Sequence, residues 1–396
     1  MLSSAIWDFK RINRSEELSV HIVHVITDLD LGGAEMMLLK VVQASSERYR
    51  HSVISLSTEG VIGPKLREAG ANVRAFHVTR GRIPGVNAIA LTRELRRLRP
   101  DVIQGWMYHA NVAATAAQLG SLRATPVCWS VRGSLNESDT AKPLTRQVIK
   151  MGAWISRLPK SIIYNSARAR AEHEAIGYSA SKGVVIPNGF DLGKFRPDAN
   201  LRAEMRKSLG IAPNEIVVGF VGRYHSVKDF GTFLAAAIRV AHESADASFI
   251  LAGRGVPEMA VSEPNLGTKL AALGGRVRLL GEQANISKLM NAFDLFVICS
   301  VSEGFPNVLG EAMATALPCI ATDVGDCAGI VDDTGIIVPA RSPDNLAKAI
   351  LQLLNADAAM RSDMGAKARE RVTSLYSLKN IVTRYQDQWF RFVHQQ

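Results

Sequence analysis

Twice along its 396 residues the chain repeats one rhythm, a short β-rich apolar run followed by a turn and a helical segment. In the first half, 20–26, 51–56, 73–78, 101–106, 127–131 and 161–165 read as strands, with helical patterns at 35–43, 63–69, 88–98 and 110–119 between them. Strands separated by helices cannot pair as hairpins. They must cross over, which gives a parallel sheet clothed by helices on both faces. Ligands of such α/β sheets bind in the crevice beyond the carboxyl ends of the strands, so the loops after strands are where chemistry is expected.

The rhythm breaks near Ile186-Pro-Asn-Gly-Phe-Asp191 and a polar stretch to Asn200, then restarts with runs at 216–221, 248–252, 277–280, 295–299, 319–321 and 335–338. The chain also exceeds the size at which one core keeps growing. The simplest architecture is two Rossmann-like domains with doubly wound parallel sheets facing across a cleft. The expected divisions are 1–190, 191–376 and a C-terminal amphipathic helix, 377–396, that packs back across the junction through Tyr385, Trp389 and Phe392.

Charge is unevenly placed. Residues 1–190 hold 25 Lys and Arg against 15 Asp and Glu, whereas 191–396 hold 22 of each. Clusters at Arg93, Arg96, Arg97 and Arg99, and at Arg80 and Arg82, make the first half basic. A basic half fits an anionic membrane surface, a phosphorylated acceptor or a plain solvated surface, and no nucleic-acid module is recognisable. Residues 1–18 are too charged for a secretory signal, and no apolar run approaches a membrane span, so a cytoplasmic location is expected. Cys128, Cys299, Cys319 and Cys327 lie in apolar segments without paired spacing and read as buried thiols.

Four motifs fall where a parallel sheet would present them. Gly32-Gly-Ala-Glu35 follows the first strand, and its glycines let another molecule approach the backbone. Arg223 and Lys228 follow the first strand of the second series, a fork and a point charge suited to a diphosphate. Glu303-Gly-Phe-Pro-Asn-Val-Leu-Gly-Glu311 joins the apolar run 295–300 to a helix. Its free N–H groups at Phe305, Asn307 and Val308 form an anion site, and Glu311, a turn into the helix, is placed to accept hydrogen bonds from sugar hydroxyls. Phosphate beside a polyol points to a nucleotide sugar. His109 and Arg132 each end a strand. Either is a cleft residue or a structural one.

Gly-Gly-Ala-Glu, Ile-Pro-Asn-Gly-Phe-Asp, Gly-Arg plus Lys, and Glu-x7-Glu within Glu-Gly-Phe-Pro-Asn, in this order over residues 20–390, resemble the retaining GT-B glycosyltransferases of family 4, of the bacterial surface-polysaccharide type. The resemblance implies that Arg223 and Lys228 hold the donor diphosphate, that Glu311 receives the ribose hydroxyls, and that Glu303 lies by the transferred sugar. It implies too that the backbone of Phe305, Pro306, Asn307 and Val308 contacts sugar and phosphate, that Gly33 with Gly32 lets the first domain close on the donor, and that the base lies against the loop after Arg278, at Gly281. His109 is implied near the reacting centre, and Arg132 could take an acceptor phosphate. The implied partners are a nucleoside-diphosphate sugar, UDP-linked by expectation, and a glycan or lipid-linked oligosaccharide acceptor at the membrane. No cofactor is expected and no metal, since Asp28 and Asp30 precede the glycine loop away from the diphosphate.

One departure is Asp229, where many relatives have glycine after the lysine; it is expected to cap the following helix. A nucleotide-sugar 2-epimerase of the same architecture and a non-catalytic partner subunit of a transferase complex are the alternatives.

Overall fold

The most apolar runs of the chain become its central strands because both faces of a parallel sheet are covered. The run His21–Ile26 is buried at all six positions, as is Ala247–Ala252. The computed structural model describes residues 20–77, 85–135 and 143–394. The N-terminal stretch 1–18, Val78, Arg80 and Arg82 lie outside the described residues.

The strands are β1 (His21–Ile26), β2 (Arg50–Ser55), β3 (Asn72–Ala75), β4 (Val102–Trp106), β5 (Val127–Val131), β6 (Ser161–Tyr164) and β7 (Gly183–Val185), followed by β8 (Ile216–Val221), β9 (Ala247–Ala252), β10 (Val277–Leu280), β11 (Leu295–Ile298), β12 (Cys319–Thr322) and β13 (Ile336–Val338). They form two sheets, β3-β2-β1-β4-β5-β6-β7 and β10-β9-β8-β11-β12-β13. Every pairing is parallel. In each sheet the order reverses direction once, between β1 and β4 and between β8 and β11. Those two switch points are where a crevice opens at the carboxyl edge. All four cysteines are free and buried.

The helices that the sequence pattern missed include Pro143–Ile155, Ala199–Ser208, Pro264–Leu273, Ala167–Ala175 and Ala358–Tyr376. The last two carry alternating charge and no clear apolar stripe, so periodicity gave little to read. The helix after the Glu303 loop runs over Asn307–Ala314, with Glu311 a turn into it. It ends where Leu317 turns back to bond the carbonyl of Ala312, with Ala316 in a left-handed conformation at φ 59°.

The chain crosses between the sheets twice, and the crossings are bonded to each other. Phe190 N–H donates to the Tyr376 carbonyl at 2.9 Å and Leu378 N–H to the Phe190 carbonyl at 2.8 Å. After the second crossing, helix Leu378–His394 returns to the first lobe. There Ile381, Val382, Tyr385 and Trp389 join one core with Ile22, Ile26, Val42, Tyr49 and Trp106.

Beneath Trp389 lies a buried polar chain. Trp106 Nε1–H donates to His24 Nδ1 (3.2 Å), which leaves His24 Nε2 to donate to His51 Nδ1 (3.0 Å). His51 Nε2 then donates to Ser45 Oγ (2.9 Å), whose hydroxyl donates to the Val41 carbonyl (2.5 Å). The chain is satisfied only with both rings neutral, since His24 Nδ1 and His51 Nδ1 must accept. Burial holds the His24 pKa well below its ordinary value and that of His51 down to about 4. The unfolded rings take up protons near pH 6.5, so the stabilisation is complete above that value and is lost as pH falls toward the folded pKa. Urea titration followed by tryptophan fluorescence should show unfolding free energy falling by on the order of 3 kcal/mol between about pH 6.5 and about pH 4 from His51 alone.

Candidate functional site

Loops from both switch points meet. The second lobe contributes the turn after β8, with Arg223 and Lys228, and the turn after β11, with Glu303 through Glu311. The first contributes the glycine loop after β1 and the ends of β4 and β5.

Glu303 is buried at 9% exposure. One oxygen takes the ammonium of Lys228 and also the hydroxyl of Ser300 at 2.6 Å. Ser300 is itself fixed, its carbonyl receiving Thr322 Oγ1 at 2.7 Å. The backbone of Glu303 rests on Gly325, which has φ 56°. A Cβ there would stand 2.2 Å from the Glu303 carbonyl oxygen, so only glycine fits. Lys228 is therefore held on Glu303, while Arg223 is exposed and pairs with no carboxylate among the described residues. Asp229 does cap the next helix. It adopts φ 49°, its Oδ1 accepts from Thr232 N–H at 3.1 Å and its Oδ2 from Thr232 Oγ1 at 2.7 Å. An aspartate tolerates this left-handed position better than most residues, which lets it stand where glycine would otherwise be needed.

The helix Asn307–Ala314 begins at Pro306, whose side chain offers no cap. Its first N–H groups, at Asn307 and Val308, are thus without a side-chain partner at the positive end of the helix, a ready anion site. The Phe305 side chain turns away from this site, stacked on Phe190 at 6.1 Å and edge-on to Tyr376 at 5.9 Å.

Glu311 lies one turn further on and lines a cavity of about 380 Å³ with Gly32, Gly33, Met36, Lys40, Gln43, Asp191, Lys194 and Asn307. Its carboxylate makes no hydrogen bond among the described residues. Burial pushes its pKa up to about 7, and Lys40 first, then Lys194, oppose the rise. Gly33 faces Asn307 across the cavity: a Cβ there would lie 4.0 Å from Asn307 Nδ2.

The sequence-derived residues thus fall into two groups. Lys228 and Glu303 are in contact, and Gly32, Gly33, Asn307 and Glu311 share one cavity. His109 stands at the second position of helix Tyr108–Ser121, half-buried, just after Met107, whose φ of 68° marks a strained strand end. It contacts none of the two groups through a hydrogen bond. Gly281 sits half-exposed at the carboxyl end of β10.

Among the described residues Arg132 forms no salt bridge. Its guanidinium donates to Tyr385 Oη at 2.6 Å and to Asn188 Oδ1, and lies 5.8 Å from the Trp106 ring. Asn188 Nδ2 in turn donates to Asn307 Oδ1 at 2.6 Å, so the arginine reaches helix Asn307–Ala314 through one side chain. Elsewhere across the cleft, Asp326 of the second lobe caps helix Ala167–Ala175 of the first, accepting from Ala167 N–H at 3.2 Å and Arg168 N–H at 3.3 Å. Among the described residues no three His, Cys, Asp or Glu side chains gather as a metal site.

Two family profiles tile this arrangement. That described as Glycosyltransferase Family 4 matches residues 31–194, and that described as Glycosyl transferases group 1 matches 215–356. The chain belongs to the family 4, group 1 glycosyltransferases. The chain is similar to the D-inositol 3-phosphate glycosyltransferase of Rhodococcus erythropolis, at 33% identity over 56% of this chain and 52% of that one. It is similar also to the lipopolysaccharide core biosynthesis mannosyltransferase LpsB of Rhizobium meliloti, at 32% identity over 47% of this chain and 53% of the relative. The matched stretch spans about half the length of those two relatives. Among solved structures, Anabaena HepE in complex with UDP has the same fold, with a TM-score of 0.81 over 93% of this chain and 99% of that one, at 21% identity. The fold is GT-B.

Sequence reasoning missed Lys40, Lys194, Asn188 and Ser300. For Lys40 there was a signal: Gly33, Met36, Lys40 and Gln43 recur at helical spacing on one face of Gly33–Ser45, so a glycine at the cleft brings that lysine with it. Lys40 Nζ donates to the Gly189 carbonyl at 3.0 Å and lies 6.0 Å from the Phe190 ring. Isotope-edited infrared titration should show the Glu311 carboxyl ionising only as pH rises through about 7. In Lys40→Met the midpoint should move up, because the largest opposing charge is gone.

Proposed function

We propose that this protein is a retaining glycosyltransferase. It moves a hexosyl group from a nucleoside-diphosphate sugar, UDP-linked, to a hydroxyl of a lipid-linked or surface-polysaccharide acceptor at the inner face of the cell membrane. The observation that carries this reading is the uncapped start of helix Asn307–Ala314, flanked on one side by the Lys228–Glu303 pair and a turn later by Glu311. An anion site beside a hydrogen-bond-hungry carboxylate suits a diphosphate joined to a ribose. Similar proteins support the class: HepE was solved with UDP, and LpsB is a mannosyltransferase of lipopolysaccharide core biosynthesis.

Departure of the nucleoside diphosphate builds negative charge on its phosphates and positive character on the anomeric carbon. The helix terminus, Lys228 and exposed Arg223 would meet the first, and the Glu303 carboxylate, kept close by Ser300, the second. Lys228 rests on Glu303, so donor phosphate would take over a cation already desolvated and positioned. Retention follows in this reading from a front-face path in which the leaving phosphate accepts the acceptor proton, and no side chain is assigned as general base. The basic first half supplies the attraction for an anionic membrane carrying the acceptor. No helix among the described residues is long and apolar enough to cross a membrane.

Lys228→Ala and Glu311→Ala should each lower turnover by on the order of 100- to 1000-fold with unchanged circular dichroism, measured as acceptor-dependent release of nucleoside diphosphate. Wild-type rates in both variants would sink the assignment. Release without acceptor would point to hydrolysis or epimerisation instead.

A further inference from the structure

The helix Pro143–Ile155 and the turn after it carry a surface that the transfer site does not use. Val148, Ile149 and Gly152 face the core. Away from it, Leu144, Met151 and Trp154 are 56%, 44% and 84% exposed, and Leu158 in the following turn is 54% exposed. At 3.6 residues per turn the three helical side chains fall within an arc of about 80°. Isolated exposed apolar residues are ordinary, but a stripe of this kind is not. The neighbouring helix Tyr108–Ser121 carries Leu119 in its last turn and is followed by Leu122, which is 88% exposed. Both helices return from the carboxyl to the amino edge of the sheet, so these residues and Trp154 share one end of the lobe.

The arc beside the apolar stripe is basic. Arg146 and Lys150 occupy it on the helix, Arg157 and Lys160 continue it, and residues 143–160 contain no Asp or Glu. Lys150, Arg157 and Lys160 form no ion pair among the described residues. A helix with an apolar face, a tryptophan and flanking cations lies in the interface of an anionic bilayer, with the rings and leucines at the acyl boundary and the ammonium and guanidinium groups snorkelling to lipid phosphates. A second copy of the chain is the poorer occupant, because a two-fold contact through this face would set two acid-free basic tracts against each other.

We propose that the 143–160 face seats the protein on an anionic membrane, with Trp154 and Leu158 as anchors and Lys150, Arg157 and Lys160 as the headgroup contacts. This rests on the lipid-borne acceptor proposed above and gives that surface a specific location. A helix lying flat would keep Leu144, near the cleft edge, at the same depth as Trp154, so that the cleft opens along the bilayer.

The test is co-sedimentation of the full chain with vesicles of phosphatidylcholine alone or mixed with phosphatidylglycerol, at low and high salt. Wild type should bind the mixed vesicles at low salt, release with salt, and show a blue shift in tryptophan emission. Trp154→Ser/Leu158→Ser should bind about tenfold more weakly and lose the shift, and Lys150→Ala/Arg157→Ala/Lys160→Ala should lose the preference for phosphatidylglycerol, both with UDP affinity unchanged. Wild-type vesicle binding by the serine variant overturns the proposal, as does a wild-type dimer that the serine variant dissolves in sedimentation velocity. If vesicle binding fails while donor turnover stands, only the seating is wrong; if binding holds but no donor is turned over, the transferase reading falls alone.

Discussion

The phenyl ring of Phe190 lies directly on the backbone of Gly310, so close that a Cβ at that glycine would stand 2.1 Å from the ring. Much of the site depends on this contact. Phe190 belongs to the first crossing between the lobes and Gly310 precedes Glu311, so the linker and the donor-side helix are packed as one unit. The same ring stacks with Phe305 and lies near Lys40, and its neighbour Gly189 receives the Lys40 ammonium. A single aromatic residue therefore sets both the helix that carries Glu311 and the lysine that faces it. Close packing of this kind transmits displacement rather than absorbing it.

The two carboxylates of the Glu-x7-Glu motif end up in opposite situations. Glu303 has a cation and a hydroxyl already in place and little surface left to water. Glu311 has lysines across a cavity but no hydrogen bond among the described residues. One is a carboxylate whose interactions must be exchanged when a ligand arrives, and the other is one whose interactions are waiting to be made. The cost of desolvating Glu311 is borne in advance, and hydroxyl donors from a bound sugar would offset it.

The succession of strands along the chain, β7 excepted, and the loops that bear the site were legible because parallel sheets write themselves as apolar runs, and because loops after such runs have only one edge to occupy. Glu303, Lys228 and the glycines were readable for that reason, as was the cap at Asp229. Asn188, Ser300 and Arg132 were not, because their importance comes from partners 119, 3 and 253 residues away. Ser300 is close in sequence yet carries no pattern, since a lone serine at a strand end is common. Arg132 could be read either as a cleft cation or as a structural one, because nothing in the chain around it names Tyr385 or Asn188. The helices at 167–175 and 358–376 were hidden by the evenness of their charge.

The paired crossings at Phe190 and at Tyr376 to Leu378 have a mechanical consequence. Two covalent connections lying side by side, tied by two backbone hydrogen bonds, behave as the two leaves of a door hinge. They resist torsion between the sheets and leave bending about the line that runs through them as the soft direction. Such bending moves the far lip of the cleft most, and there the Asp326 carboxylate sits on the first turn of helix Ala167–Ala175 like a catch on a door.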